Sequence, residues 1–197
     1  MTTLIRPEQC DLTKDWAFST PIRGTTSLWW YAKCLEAVRV APGASGATFT
    51  PPNANTLGGY QFDVITEYLY FGCHIHTCWG ATSDLEVIVT FEVNVDNTAG
   101  NVADTVDLSL LCYYKGDAET VNKTQTVEVA TTVGQSPQFK QFVATFTIDY
   151  DLVVNVVQIG DVLTFRLNLE TDTSEVDDVI INHFIIRYKT AHMNPEV

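Results

Sequence analysis

The chain has 197 residues, of which 46% are hydrophobic and 18% are charged. This size and composition are typical of one packed globular domain and exclude the disordered and fibrous classes. With 24 acidic and 11 basic residues the formal net charge is −13, so the surface should repel nucleic-acid phosphates and anionic lipid headgroups, and we expect neither nucleic acid nor membrane as a partner.

An N-terminal arm is predicted over residues 1–27, because this stretch lacks strand alternation and contains Pro7, Pro21 and Gly24. The arm also carries apolar side chains that a solvated tail would not, namely Leu4, Ile5, Leu12, Trp16, Phe18 and Ile22. We therefore expect it to pack on the domain or on a neighbouring subunit. It shows no basic region followed by an apolar stretch of signal-peptide length, so synthesis in a cytoplasm is expected.

Eight strands are predicted in the domain that follows (28–190), before a tail at 191–197. Most show period-two alternation or an apolar, β-branched composition between turn residues, and the fifth is a more polar strand with several threonines, suited to a sheet edge or a solvated face. In chain order they are Trp30–Val40, Gln61–Phe71, Asp84–Asp96, Val106–Tyr113, Val121–Ala130, Phe139–Asp149, Leu163–Leu169 and Ile180–Tyr188. The third has the clearest alternation, and the Gly160-Asp161 bend delivers the chain to the seventh.

Eight strands without helical crossovers predict an all-β fold, an eight-stranded antiparallel β sandwich of the jelly-roll type. One face of each strand is expected in a shared core. The predicted core residues are Leu85, Val87, Val89, Phe91, Val93, Leu108, Leu110, Phe146, Phe165, Leu167, Phe184 and Ile186. In the eighth strand, Ile180 is expected on the same apolar face as Phe184, Ile186 and Tyr188.

Metal-ligand residue types cluster in Cys73-His74-Ile75-His76-Thr77-Cys78. His74 and His76 would share a strand face, and Cys78 or His183 could complete a tetrahedral site. Structural zinc sites usually draw short-spaced ligand pairs from two places, and this chain has one such place. Packed or interfacial histidines are therefore the favoured interpretation, and folding is expected to need no metal.

The acidic loop Asp172–Asp178 offers oxygen ligands that calcium accepts, with Asp172, Glu175, Asp177 and Asp178 as candidates. It lacks the spaced Asp and Gly pattern of a calcium loop, so a solvated loop is favoured. The triplet Asn122-Lys123-Thr124 matches a glycosylation acceptor, which a chain without secretion would not use.

The five cysteines are an odd number, which favours reduced and mostly buried thiols. No Ser, His and Asp motif, glycine-rich phosphate loop or distinctive carboxylate pair is present. We therefore expect no enzyme activity, no catalytic residues and no cofactor.

The stretches Thr82–Asn97 and Val157–Tyr188, with the eight-strand count, resemble the jelly-roll structural proteins of tailed bacteriophage particles. The resemblance covers roughly Trp30 to Tyr188. It implies a homotrimer in a virion, made in the host cytoplasm, that serves as capsid decoration, head fibre, or a tail or receptor-binding module. It also implies that other virion proteins are partners. The resemblance concerns the scaffold alone, so it assigns no site residue.

Two functions are left open. In the first, the chain is a non-enzymatic virion structural protein that assembles through its arm. In the second, it is a receptor- or carbohydrate-binding module whose aromatic residues stack on a host-surface glycan. Trp29, Trp30, Tyr31 and Trp79 should discriminate between them, since burial against a subunit supports assembly and an exposed planar platform supports ligand binding.

Overall fold

The computed structural model describes residues 29–32, 38–75, 79, 83–95, 104–135, 137–170 and 178–189, with the backbone alone at 29–32. These residues form eleven strands and one short 3-10 turn, Gly43–Ser45. The strands are β1 (Trp29–Ala32), β2 (Arg39–Val40), β3 (Thr48–Thr50), β4 (Gly59–Phe62), β5 (Leu69–His74), β6 (Leu85–Val93), β7 (Thr105–Lys115), β8 (Lys123–Thr132), β9 (Gln141–Ile148), β10 (Val162–Leu169) and β11 (Val179–Lys189). No helix among the described residues is long and apolar enough to cross a membrane.

The strands form two antiparallel sheets. Sheet 1 has the order β3-β4-β11-β6-β9, with β1 also paired to β11, and sheet 2 has the order β2-β5-β10-β7-β8. The pairs β4–β11, β5–β10, β6–β9 and β7–β8 are nested in the sequence, like one long hairpin folded over a core. This arrangement confirms the predicted all-β, antiparallel jelly-roll sandwich.

Three short strands add to the eight-stranded frame. The predicted strand Trp30–Val40 contains β1 and β2, which pair in different sheets, and β3 lies in a predicted loop. The prediction of Gln61–Phe71 as one strand is wrong, because β4 belongs to sheet 1 and β5 to sheet 2. Between them the chain turns at 63–68, where the Asp63 N–H donates to the buried carboxylate of Glu67 over 2.8 Å.

The core lies between the sheets, and all twelve predicted core residues are buried in it. A stack of three phenylalanines joins the sheets at the centre. The ring of Phe71 on β5 lies 5.2 Å from that of Phe165 on β10 and 4.0 Å from that of Phe184 on β11. Because aromatic pairs add to the free energy of burial, this stack is a principal source of stability.

A β-bulge interrupts β11 at Asn182, where the register with β6 shifts between Ile181 and His183. Before the bulge, odd-numbered residues such as Ile181 face the core, and after it the even-numbered Phe184 does. The prediction that Ile180 shares the face of Phe184 is therefore wrong. Ile180 lies on the outer side of sheet 1, where it is nevertheless fully buried.

A side chain closes one edge of the sandwich. The Gln125 amide on β8 donates to the Asp149 carbonyl over 3.1 Å and accepts from the Asp149 N–H over 2.7 Å, so it joins sheet 2 to the end of β9 in sheet 1. Nearby, burial raises the pKa of Tyr114 to about 12, and its hydroxyl donates to the Asn155 carbonyl. The phenol thus stays protonated and holds the loop between β9 and β10.

Candidate functional site

The outer face of sheet 2 carries a row of polar and aromatic side chains. In β5, Leu69, Phe71 and Cys73 fill the core, so the alternation leaves Tyr70 pointing outward. The same alternation in β7 and β10 places Tyr113 and Thr164 on this face. The face is therefore half-buried and chemically mixed, in contrast to the apolar inner side.

An open hollow of about 400 Å³ lies on this face. Its lining residues come from three neighbouring strands and the loop before β8: Tyr70, Tyr113, Tyr114, Lys115, Asn122, Val162 and Thr164. We call this the tyrosine hollow. It combines aromatic rings with a hydroxyl, an amide and an ammonium group, the mixture that orients small polar ligands in protein pockets.

Strand register explains the shape of the hollow. Thr164 on β10 lies directly between Gly72 on β5 and Tyr113 on β7. Because Gly72 has no side chain, it leaves the side of Thr164 that faces β5 uncovered. Tyr70 lies two residues from Gly72, and β5 and β7 are about 10 Å apart across β10. The two tyrosines therefore flank a floor made by Thr164 and Val162.

The loop at the lower rim is held by ionic contacts. Lys123 Nζ lies 3.1 Å from the buried Asp161 carboxylate and 3.4 Å from that of Glu119. The Gly116 N–H donates to Glu119 over 2.8 Å, and this hydrogen bond, aided by Lys123, lowers the pKa of Glu119. These contacts fix the segment 116–122 that supplies Asn122 to the hollow.

One row above the hollow, Arg166 pairs in register with Tyr70 on β5 and Leu111 on β7. Its guanidinium carbon lies 4.8 Å from the centre of the Tyr68 ring. Its buried Nε–H has no hydrogen-bond partner within the part of the chain that the structure describes. The outer face thus presents a cation whose plane is set by an aromatic ring.

A second groove, of about 300 Å³, lies on sheet 1 beside the bulge. The exposed side chains of Phe49 and Leu57 border it. Beneath it, the buried Glu92 carboxylate accepts from the Thr56 hydroxyl and, over 3.1 Å, from the Leu57 N–H. These bonds pin the loop 51–58 onto the sheet at Glu92, which is the register partner of Ile180 on β11.

The less favoured alternative, in which His183 completes a metal site with His74, does not fit the fold. His74 is exposed at the end of β5 in sheet 2, whereas His183 is exposed on the outer side of β11 in sheet 1. The sandwich separates them, so they cannot share an ion. His76 and Cys78 lie outside the described residues. Within the described ranges, no three His, Cys, Asp or Glu side chains are placed to hold a metal.

Of the acidic loop, the structure describes Asp178 and leaves Asp172, Glu175 and Asp177 outside the described ranges. Asp178 holds the end of β6, since its carboxylate accepts from the Asn94 amide over 3.1 Å and its carbonyl from the Asn94 N–H over 2.8 Å. That the protein folds without a bound metal stays a prediction. Cys73 and Cys112 are buried, and burial raises the pKa of the Cys112 thiol.

Trp79 does not form an exposed platform. It is 1% exposed, and its indole N–H donates to the Ser83 carbonyl over 3.0 Å. Trp29, Trp30 and Tyr31 lie in β1, whose backbone pairs with β11, and their side chains are outside the described set. The residues that line the tyrosine hollow were not predicted from the sequence. The pattern that could have indicated them is the alternation of Tyr68 and Tyr70 with the apolar Leu69 and Phe71.

No protein-family model and no curated protein matches the chain. Solved structures of low similarity include a xylan-binding module, CBM15, at 12% identity, with 83% of this chain and 97% of that chain covered and a TM-score of 0.44. A family 11 carbohydrate-binding module from Clostridium thermocellum is 8% identical, with 86% of this chain and 92% of that chain covered and a TM-score of 0.36. The enzymatically active domain of bacteriophage CBA120 tailspike protein 4 is 8% identical, with 82% of this chain and 19% of that chain covered and a TM-score of 0.36.

Proposed function

We propose that the chain is a saccharide-binding β sandwich without catalytic activity, and that the tyrosine hollow is its binding site. The supporting observation is the placement of Tyr70 and Tyr113 on either side of an open polar floor. A sugar ring has apolar C–H faces and a rim of hydroxyl groups. Tyrosine offers an apolar ring and a polar tip, so two such side chains can contact a face and still hydrogen-bond at the edge.

The polar groups of the hollow match the rest of such a ligand. The Thr164 hydroxyl and the Asn122 amide can each donate and accept, and Lys115 adds donors at the rim. Because the site is a shallow hollow on a sheet, it can admit a length of chain rather than a single enclosed molecule. The strands beneath it are rigid, so little conformational entropy is lost on binding.

Replacing Tyr70 or Tyr113 by alanine should weaken saccharide binding by about thirtyfold, the effect of losing roughly 2 kcal/mol at a central aromatic contact. The measurement is a glycan array followed by calorimetric titration of the strongest ligand. Phe49→Ala is the control, since it removes an aromatic ring from sheet 1, where Phe49 is 59% exposed and so more accessible than either tyrosine. Equal affinities for wild type, Tyr70→Ala and Tyr113→Ala would contradict the proposed site.

A second candidate, self-assembly as in the virion role, is favoured by the loop between β9 and β10. Four aliphatic side chains are exposed there: Val153, Val154, Val156 and Ile159. Val154 is 86% exposed and has a φ of 68°, a conformation that β-branched residues rarely adopt. A strained backbone that presents an apolar side chain to solvent is typical of a contact surface. The arm's anchoring role stays a prediction, because residues 1–27 lie outside the described ranges.

Replacing both Val153 and Val154 by lysine should convert an oligomer to a folded monomer, because both side chains are exposed in the single chain. Light scattering of the full chain and of the variant measures the mass. Lysine at Val121, which is 76% exposed on a different loop, is the control. A wild-type chain that is already monomeric at high concentration would refute assembly through this loop.

A further inference from the structure

We infer that the saccharide recognised by the outer face of sheet 2 is acidic, and that Arg166 binds its carboxylate. This inference rests on the proposed function and extends the tyrosine hollow by one row of residues. Arg166 lies two residues beyond Thr164 on β10, roughly 7 Å along the strand, next to Tyr70. One ligand that crosses the floor of the hollow therefore reaches the guanidinium.

Among the described residues Arg166 lacks a carboxylate partner, although carboxylates are abundant in this chain. Acidic residues outnumber basic ones by 24 to 11. Lys123, at the rim of the hollow, is by contrast paired with Asp161 and Glu119. Within the described ranges no carboxylate forms an ion pair with Arg166.

The buried Nε–H of Arg166 has no hydrogen-bond partner among the described residues. A buried donor left unsatisfied costs roughly 1–3 kcal/mol, so the guanidinium is held at this place at a cost in stability. Because Nε is buried, a ligand carboxylate would be held by the two terminal nitrogens of the same planar group through two parallel hydrogen bonds. Tyr68, at 4.8 Å, fixes the plane of that group before any ligand arrives.

The charges on the outer face of sheet 2 are unevenly distributed. Lys115 lines the hollow beside Val162. The carboxylates on the outer side of sheet 2 lie away from Arg166. Asp107 is four residues from Leu111 along β7, about 13 Å, and Glu128 lies on β8, two strands from β10 and about 10 Å across. An anion over the hollow thus meets Lys115 and Arg166, while the rim carboxylates of Asp161 and Glu119 are paired with Lys123.

The first experiment applies the full chain to an array that carries uronate and sialate oligosaccharides beside neutral ones. Preferential binding of acidic glycans, weakened by added salt, is expected. Binding of neutral glycans as strongly as acidic ones would overturn the inference and leave the proposed function standing. Binding of no glycan at all would overturn the proposed function, and with it the inference.

The second experiment titrates the best acidic ligand and its carboxamide derivative into wild type, Arg166→Gln and Arg166→Lys. We expect Arg166→Gln to weaken carboxylate binding by about ten- to a hundredfold, the effect of a charge-assisted hydrogen bond, and Arg166→Lys to lose less. Arg187→Gln, on the opposite sheet, is the control, and melting temperatures check the folding of each variant. An equal loss of affinity for the carboxamide would show that Arg166 only supports Tyr68 and would overturn the inference.

Discussion

Replacing Phe165 by alanine is expected to lower the free energy of unfolding by about 3–5 kcal/mol, the usual loss for a truncated buried aromatic. Phe165 is fully buried, and its ring stacks on Phe71, which in turn stacks on Phe184 of the other sheet. The substitution leaves a cavity in the contact between the sheets, and a β sandwich has few ways to collapse around it. Urea unfolding followed by circular dichroism measures the change.

The control for Phe165→Ala is Phe49→Ala. Phe49 is 59% exposed and touches Tyr60 edge-on at 5.7 Å, so its loss should change the free energy of unfolding by less than about 1 kcal/mol. Equal losses from the two substitutions would mean that the stability does not depend on the contact between the sheets. A change in the denaturant slope instead of the midpoint would point to an altered unfolded state.

The core could be predicted from the sequence because its signal is local. In β6, five apolar residues from Leu85 to Val93 occur at every second position, and such a pattern has one placement that buries them all. The same holds for β7, β9 and β10. Burial of apolar area is the main driving force of folding, so elements that satisfy it locally are those that sequence patterns identify correctly.

The junction between β4 and β5 could not be predicted, because the whole stretch is compatible with extended backbone. Gln61–Phe71 is rich in aromatic and branched residues, and the change of sheet is set by tertiary contacts such as the bond from Asp63 to buried Glu67. The bulge at Asn182 is a similar case. Its neighbours Ile180 and Ile181 are both buried, on opposite sides of the sheet, so composition does not reveal the shift.

The candidate site escaped prediction because it is built across strands that are far apart in the chain. Tyr70 and Tyr113 come together only through the pairing of β10 with both β5 and β7. Alternation shows that each tyrosine faces outward, but register decides that both face the same hollow and that Gly72 leaves it open. Histidines, by contrast, attracted attention by residue type alone, and the fold places His74 and His183 on opposite sides.

A second large effect is expected at Gly59, where β4 begins. Its φ is 151°, a value that residues with a side chain rarely adopt, and it lies against the bulge of β11. A Cβ placed there would overlap the carbonyl oxygen of Ile181 and lie 2.8 Å from the carbonyl carbon. Both atoms belong to the backbone, so no side-chain rotation relieves the overlap. β4 would have to separate from β11.

Gly59→Ala should therefore cost at least about 3 kcal/mol, because overpacking and backbone strain act together. The matched control is Gly160→Ala. Gly160 also has a positive φ, 93°, but no atom lies within 4 Å of a Cβ built on it, so its substitution should cost only the dihedral strain, about 1–2 kcal/mol. Thermal and urea unfolding of both variants compare the two effects. Because the pair differs in the space available and not in the sign of φ, equal losses would show that dihedral strain alone accounts for the glycine at position 59 and that the approach of β4 to the bulge can relax.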